Sequence, residues 1–256
     1  MDKSLLRENG LVVTGAQGRI GQLLRHLWAG RGVVWSGRRR DLVWDMGAGA
    51  APDLPPGTRV LHLAGTTGGD LSQNARAARA LAGVLRPGHR VVVISSIAVY
   101  GPGAGPFTEA TPPAPASDYA SAKLQVEAIL APHRPMVLRL GNLFGADALT
   151  RQALAGPVTL DQAGPRGPMR SWIGPLTFAD ALWRLVQDPA PGLWNLAQAP
   201  ALGMADILTA MGADWTLGPR AAPVPHAEME VSRLGLPPAS AAGLVAELAS
   251  LKGIWP

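Results

Sequence analysis

Over the first 140 positions, apolar residues fall in short runs, and the longer stretches between them repeat apolar positions at helical spacing. Leu11-Val12-Val13 stops at Thr14-Gly15, and a helical period then runs from about Gly18 to Trp28. Val33-Val34-Trp35 and Leu42-Val43-Trp44 are the next two strand-like runs. Val60-Leu61-His62-Leu63 is followed by a helical stretch from about Leu71 to Leu85, which ends at Pro87-Gly88. Val91-Val92-Val93-Ile94 is β-branched and apolar throughout, as expected of a strand covered on both faces. A loop with Pro112, Pro113 and Pro115 leads to a helix from about Ser117 to Leu130, and Met136-Val137-Leu138 reads as a sixth strand. Strands alternating with helices at this spacing specify an α/β fold with a doubly wound parallel sheet.

Beyond residue 150 the pattern loosens. Gly156 to Pro175 holds four Gly and four Pro and predicts a long irregular excursion. Phe178 to Gln187 reads as a helix and Leu193-Trp194-Asn195 as a last short strand, with further helices near 203–211 and 239–251. The expected division is a sheet domain over 1–150, to which 174–198 return. A small C-terminal lobe is expected from 151–173 and 199–256.

Composition narrows the chemistry. The 256 residues are 47% apolar and 16% charged, enough for a core that needs no staple. With no cysteine there is no disulfide framework, thiolate metal site or thiol nucleophile, which suits a reducing cytoplasm. MDKSLLRENG lacks the apolar region of a secretory leader, and no apolar stretch approaches a membrane span, so a soluble cytoplasmic protein is expected. The formal charge of +5 and a sequence pI near 10.4 raise nucleic acid as a partner. The arginines are scattered, however, and are not interleaved with stacking rings, so no nucleic-acid partner is expected.

Gly15-Ala16-Gln17-Gly18-Arg19-Ile20-Gly21 lies between the first strand and the first helix. Glycine there permits a tight turn and close approach of backbone to a pyrophosphate seated on the helix N-terminus. Where the second strand of such folds usually supplies an acid for a ribose hydroxyl, this chain reads Trp35-Ser36-Gly37-Arg38-Arg39-Arg40. Guanidinium groups suit a 2′-phosphate, which a carboxylate would repel, so NADP is expected ahead of NAD. Arg19 is a second candidate for that phosphate.

Tyr119 and Lys123 stand four residues apart on one helix and so share a face. An ammonium near a phenol favours the phenolate, and Tyr119 is the candidate acid/base for a hydroxyl or carbonyl. Ser96 follows the fifth strand, at the carboxyl edge where such sheets bind ligands, and is placed to hydrogen-bond the same substrate oxygen.

Here the chain resembles a known family, the extended branch of the short-chain dehydrogenase/reductases, or NAD-dependent epimerase/dehydratase family. The resemblance spans about 11–198. It rests on Val13-Thr14-Gly15 through Gly21, His62-Leu63-Ala64-Gly65, Ser95 through Gly101, Tyr119 with Lys123, Leu138 through Gly145, and Trp172 to Asp180 ahead of Trp194-Asn195. It implies a Rossmann sheet with a Ser96–Tyr119–Lys123 triad, in which Lys123 also holds the nicotinamide ribose. By the same resemblance Asp45-Met46 meets the adenine, Ala64 and Gly65 line the cofactor, and Asn142 lies on the substrate's phosphate side. A homodimer through the helices near 71–85 and 117–130 is also implied. Family 4,6-dehydratases carry an Asp-Glu pair just after the Ser/Thr. This chain has Ile97 and Ala98 there, which disfavours dehydration and the related decarboxylation. Gly145 is followed by Ala146 rather than the family's Pro, and the chain is short for this branch.

Arg151, Arg166 and Arg170 fall in or beside the predicted excursion and are candidates to grip a diphosphate or carboxylate. His62 is expected to pack under the cofactor. His26, His89, His133 and His226 show no ligand spacing, and no metal is expected. Trp172 and Trp183 are expected in the core. The sequence thus points to an NADP-dependent oxidoreductase or epimerase acting on a hydroxyl or carbonyl carbon of a sugar, nucleotide-sugar or similar small substrate. A non-catalytic NADP sensor on the same fold is the alternative, although such proteins typically lose the Tyr or Lys.

Overall fold

The computed structural model describes residues 6–38, 40–47, 51–103 and 105–253. The apolar runs become strands β1 (Leu11–Thr14), β2 (Val33–Gly37), β3 (Leu42–Val43), β4 (Arg59–His62), β5 (Arg90–Ser96) and β6 (Met136–Leu140). Between them lie helices α1 (Arg19–Leu27), α2 (Ser72–Val84) and α3 (Asp118–Leu130). Ser117 starts α3 after the proline-rich loop, its side chain accepting from the Ala120 amide at 3.2 Å.

Farther along are β7 (Asn142–Leu143), α4 (Ala148–Ala155), β8 (Val158–Gln162), β9 (Met169–Ile173), α5 (Pro175–Gln187) and β10 (Gly192–Leu196). The last elements are β11 (Gln198–Gly203), α6 (Met204–Met211), β12 (Trp215–Ala221), β13 (His226–Ala227) and α7 (Ala241–Ser250).

The main sheet is seven-stranded, in the order β10-β6-β5-β4-β1-β2-β3. β1 pairs in parallel with β2 and β4, β4 with β5, and β2 with β3. The winding therefore reverses between β1 and β4, and the loops leaving these two strands flank the reversal, where open α/β sheets bind ligands. The doubly wound Rossmann fold is confirmed.

The chain divides into two compact units. The first comprises 1–99, 115–139 and 182–194, and the second 100–114, 140–181 and 195–256. The first unit's core packs Val12, Val60, Val91 and Val93 of the sheet against Ala78, Leu81, Val126 and Leu130 of α2 and α3.

In the second unit β9 pairs with β7, β11 and β13, and β8 pairs in parallel with β12. Phe144, Leu160, Trp172, Ile207 and Leu208 are among the residues of its core. Residues 156–175, predicted to be irregular, form β8 and β9. The glycines and prolines punctuate these strands: Val158 and Leu160 alternate with exposed Thr159, as a half-covered strand requires. Glu247 of α7 accepts from the Leu176 and Thr177 amides at 2.8 and 3.0 Å, closing the first turn of α5. Among the described residues no helix is long and apolar enough to cross a membrane.

Candidate functional site

The loop after β1 closes on itself through backbone packing. Gly15 has φ +72°, and a Cβ there would lie 2.6 Å from the Ala64 nitrogen. A Cβ on Gly21 would lie 2.5 Å from the Gly15 oxygen and 2.7 Å from Ala16 Cα. These two glycines seat α1 against the turn. Gly18 is the N-cap of α1, and no side chain caps the helix there and no acid stands in its first turn. Amide donors at the positive end of a helix, with no carboxylate in the first turn, suit the pyrophosphate of a dinucleotide. Gln17 and Gly18 are exposed, while Arg19 and Ile20 are half-buried.

At the end of β2, Gly37 lies between the glycine loop and the arginine run: a Cβ on it would be 3.2 Å from Arg40 Cγ and 3.6 Å from Gln17 Cδ. Arg40, not singled out from the run on sequence alone, is thus the arginine seen beside the loop. Arg38 is exposed, and Arg39 lies outside the described residues. Asp41 is the next carboxylate. It turns back to accept from the Trp35 amide at 3.1 Å. Asp45 is exposed and accepts from the Gly47 amide at 3.0 Å, and Met46 packs against the core of the first unit.

His62 ends β4, buried, with Nδ1 3.0 Å from Thr14 Oγ1 and no partner for Nε2 among the described residues. Burial first, and then the Lys123 charge, depress it to about 3, so the imidazole is neutral at pH 7. Thr14 Oγ1 also accepts from the Ala64 amide at 3.3 Å, joining the loops that flank the reversal. Ala64 is half-buried and Gly65 exposed.

The end of β5 and the inward face of α3 bring Ser96, Tyr119 and Lys123 together. Ser96 stands near enough to the Tyr119 phenol to act on its ionisation, and Lys123 Nζ is 6.0 Å from the phenol ring centroid. The ammonium is expected to favour the phenolate; instead burial pushes the Tyr119 phenol up, with Ser96 opposing it. A protonated phenol is an acid ready to donate. Lys123 donates to the Ile94 carbonyl at 3.1 Å and is held down at about 8 by burial, with Glu127 opposing.

Glu127, Ser95 and Arg139 escape a motif search, yet they adjoin this group. Arg139 donates Nη2 and Nε to Glu127 at 2.9 and 3.2 Å, and Ser95 Oγ donates to the same carboxylate. A legible signal exists: an arginine in the otherwise apolar strand MVLRL requires a buried carboxylate partner.

In the second unit, Asn142 opens β7 and pairs in register with Trp172, two residues past Arg170 on the adjacent β9. Arg170 is half-buried, burial lowers its guanidinium, and Nη1 donates to the Met169 carbonyl. Arg166 is exposed, 3.6 Å from Asp206, and Arg151 is exposed and bonded to the Ala146 carbonyl at 3.0 Å. β9 and β7 thus bring Arg170 and Asn142 onto neighbouring strands, while Arg151 and Arg166 bond elsewhere. Trp172 is buried, and Trp183 packs edge-on to Trp28 in the first unit. A cavity of about 480 Å³ opens at the start of β5, between Arg90, His133 and Arg134, at the opposite strand end from Ser96.

A glycine turn and an uncapped helix at the winding reversal, beside a phenol–amine pair, define a dinucleotide-binding α/β protein. The sequence profile of the NAD dependent epimerase/dehydratase family matches residues 58–197. The chain belongs to that family. No curated protein matches the sequence. Among solved structures, MoeE5 in complex with UDP-glucose and NAD superposes with a TM-score of 0.78 at 22% identity, over 95% of this chain and 98% of that one. A UDP-galactose 4-epimerase gives 0.70 at 22%, over 95% and 99%. RMD from Pseudomonas aeruginosa complexed with NADPH gives 0.72 at 18%, over 94% and 98%. At these identities the likeness is one of fold.

Proposed function

We propose that this protein is an NADP-dependent oxidoreductase or epimerase that acts on a hydroxyl or carbonyl carbon of a nucleotide sugar or similar substrate. We place it in the cytoplasm, the compartment its cysteine-free sequence suits. The observation that carries the reading is the meeting of Ser96, a protonated Tyr119 and Lys123, the last one helical turn farther along α3.

The residues present fit a nicotinamide dinucleotide. Gly15, Gln17, Gly18, Arg19, Ile20 and Gly21 would cradle the pyrophosphate, Ala64 and Gly65 would line the site, and Asp45 and Met46 would meet the adenine. Arg38 and Arg40, with Arg39 between them in sequence, favour a 2′-phosphate, and the Asp41 carboxylate is already engaged by the Trp35 amide. When bound, the nicotinamide supplies or accepts a hydride at a substrate carbon. Tyr119 then gives the proton to the oxygen on that carbon, or takes it back in the reverse direction. Ser96 hydrogen-bonds the same oxygen and fixes the phenol. Lys123, charged below about pH 8, stabilises negative charge on the phenol as the proton leaves.

For the substrate we assign Asn142 and Arg170, with Arg151 in a supporting place. A half-buried guanidinium without a carboxylate partner among the described residues suits a phosphate or diphosphate. MoeE5 binds UDP-glucose and a neighbour of the same fold is a UDP-galactose 4-epimerase, which supports a nucleotide sugar. By the resemblance, α2 and α3 would also form a homodimer interface.

The test is NADPH or NADP offered with a panel of nucleotide sugars and ketoses, wild type beside Tyr119→Phe. Turnover by the wild type, falling about 10²–10⁴-fold in Tyr119→Phe while cofactor affinity is retained, is expected. Tight cofactor binding with no turnover of any candidate would instead mark a sensor.

A further inference from the structure

Tyr119, Lys123 and Glu127 recur at four-residue intervals along α3, and the last three residues of β5 each meet one of them. The Ile94 carbonyl accepts from Lys123 Nζ at 3.1 Å, Ser95 donates to Glu127, and Ser96 stands beside the Tyr119 phenol. Glu127 is also gripped by Arg139 of β6, with side chains 12% and 4% exposed respectively. Such a pair is a poor device for stability alone, because desolvation offsets the attraction and an apolar pair would serve a core as well. Its place, one helical turn from the lysine, gives it another consequence.

We propose that Glu127 is a positioning residue: fixed by Arg139 and Ser95, its carboxylate holds Lys123 as an ammonium and sets the register of α3 on β5. This rests on the assignment of Lys123 to the reaction. The ionisable groups around Lys123 support it. α3 contributes Tyr119 and Glu127, β4 contributes His62, and β6 contributes Arg139 by way of Glu127. β5 offers a carbonyl and two serines, and α2 turns its Arg76 and Arg79 to solvent. His62 is neutral and Tyr119 protonated at pH 7. Glu127 is therefore the negative charge of the group. Burial alone depresses Lys123, and the carboxylate counters that effect.

The chain has three lysines, Lys3, Lys123 and Lys252, so ¹³Cε-lysine labelling gives a spectrum in which Lys123 is assigned by its loss in Lys123→Arg. Titration of the cofactor-free protein reads its midpoint, about 8 in the wild type. Glu127→Gln is expected to lower that midpoint by roughly half a pH unit or more. Glu127→Asp, which keeps the charge, is expected to stay closer to the wild type. Glu127→Gln can fail to fold because it strands a buried guanidinium. The double variant Glu127→Gln/Arg139→Met removes both charges, and it is expected to fold and still lower the midpoint. An unmoved or raised midpoint in a folded Glu127→Gln or in the double variant overturns the proposal. A midpoint that moves in a protein turning over no substrate refutes the enzymatic reading and leaves the charge coupling standing.

Discussion

Replacing Gly18 and Gly21 by alanine, one at a time, separates a turn that merely packs from one that holds a pyrophosphate. At Gly21 the new methyl would meet the Gly15 oxygen at 2.5 Å and Ala16 Cα at 2.7 Å, both backbone atoms that cannot swing aside. Overpacking of this kind costs about 1–3 kcal/mol, against about 1 kcal/mol that alanine returns as helix propensity. A net loss of up to about 2 kcal/mol lowers Tm by up to about 8 °C, at roughly 2–4 °C per kcal/mol for a chain of this length. At Gly18 the methyl would stand 3.4 Å from the Gly15 oxygen, an ordinary contact, with φ −69°. Gly18→Ala should therefore melt within about 1 °C of the wild type. A dinucleotide laid on the α1 amides would nevertheless meet the new methyl, and a loss of tenfold or more in NADPH affinity, about 1.4 kcal/mol, is expected. Calorimetric titration beside thermal melts reads both quantities on the same samples. Wild-type affinity in a normally folded Gly18→Ala would refute the placement of the pyrophosphate.

Two further perturbations probe the electrostatics. Arg38→Glu combined with Arg40→Glu should weaken NADPH tenfold or more beyond any effect on NADH, because charge reversal repels a 2′-phosphate and spares a hydroxyl; fluorescence titration with the two cofactors decides it, and equal losses would show that neither arginine reads the phosphate. His62, about 3 when folded against an unfolded value of 6.5, leaves the unfolded chain holding the extra proton between those limits. Stability should thus fall as pH drops from about 6.5 toward 3, by at most ~1.4 kcal/mol per unit from this group. His62→Gln should flatten that slope in urea melts across the window, and an unchanged slope would assign the acid sensitivity elsewhere.

The first half of the fold was legible because a parallel sheet is buried on both faces and writes itself as continuous apolar runs such as Val91–Ile94. The second unit is built of short strands, of which β8 is half-covered and alternating, and its strand β12 holds Gly218 and Pro219 within a shifted register. Between Gly156 and Pro175 the glycines and prolines fall just outside β8 and β9, leaving each strand too short to stand out, and the segment reads as irregular. The glycine loop and the Tyr119–Lys123 pair were legible because their spacing is local. Arg139 was legible only as a buried charge in want of a carboxylate; that Glu127, twelve residues away, supplies it shows only once α3 packs against β6. Arg40 likewise gains its meaning from Gly37 and Gln17, which no linear spacing joins.

Fold likeness leaves the reaction undecided, because removal of a sugar hydroxyl as water needs more than a phenol. It needs a base for a carbon-bound proton and an acid for the departing oxygen, the roles of the Asp-Glu pair that the resembling 4,6-dehydratases carry after their Ser/Thr. Here those two places open the turn Ile97–Tyr100 with an isoleucine and an alanine, and the Ala98 amide donates to Ser96 Oγ at 3.2 Å. Neither side chain can accept or release a proton. What β5 and α3 do bring together is a single phenol with a serine and an amine beside it, the group to which the proposed function gives the proton. That set suffices for chemistry in which a hydride moves at carbon and one proton moves at the attached oxygen, as in reduction, oxidation, or an epimerisation that runs through both.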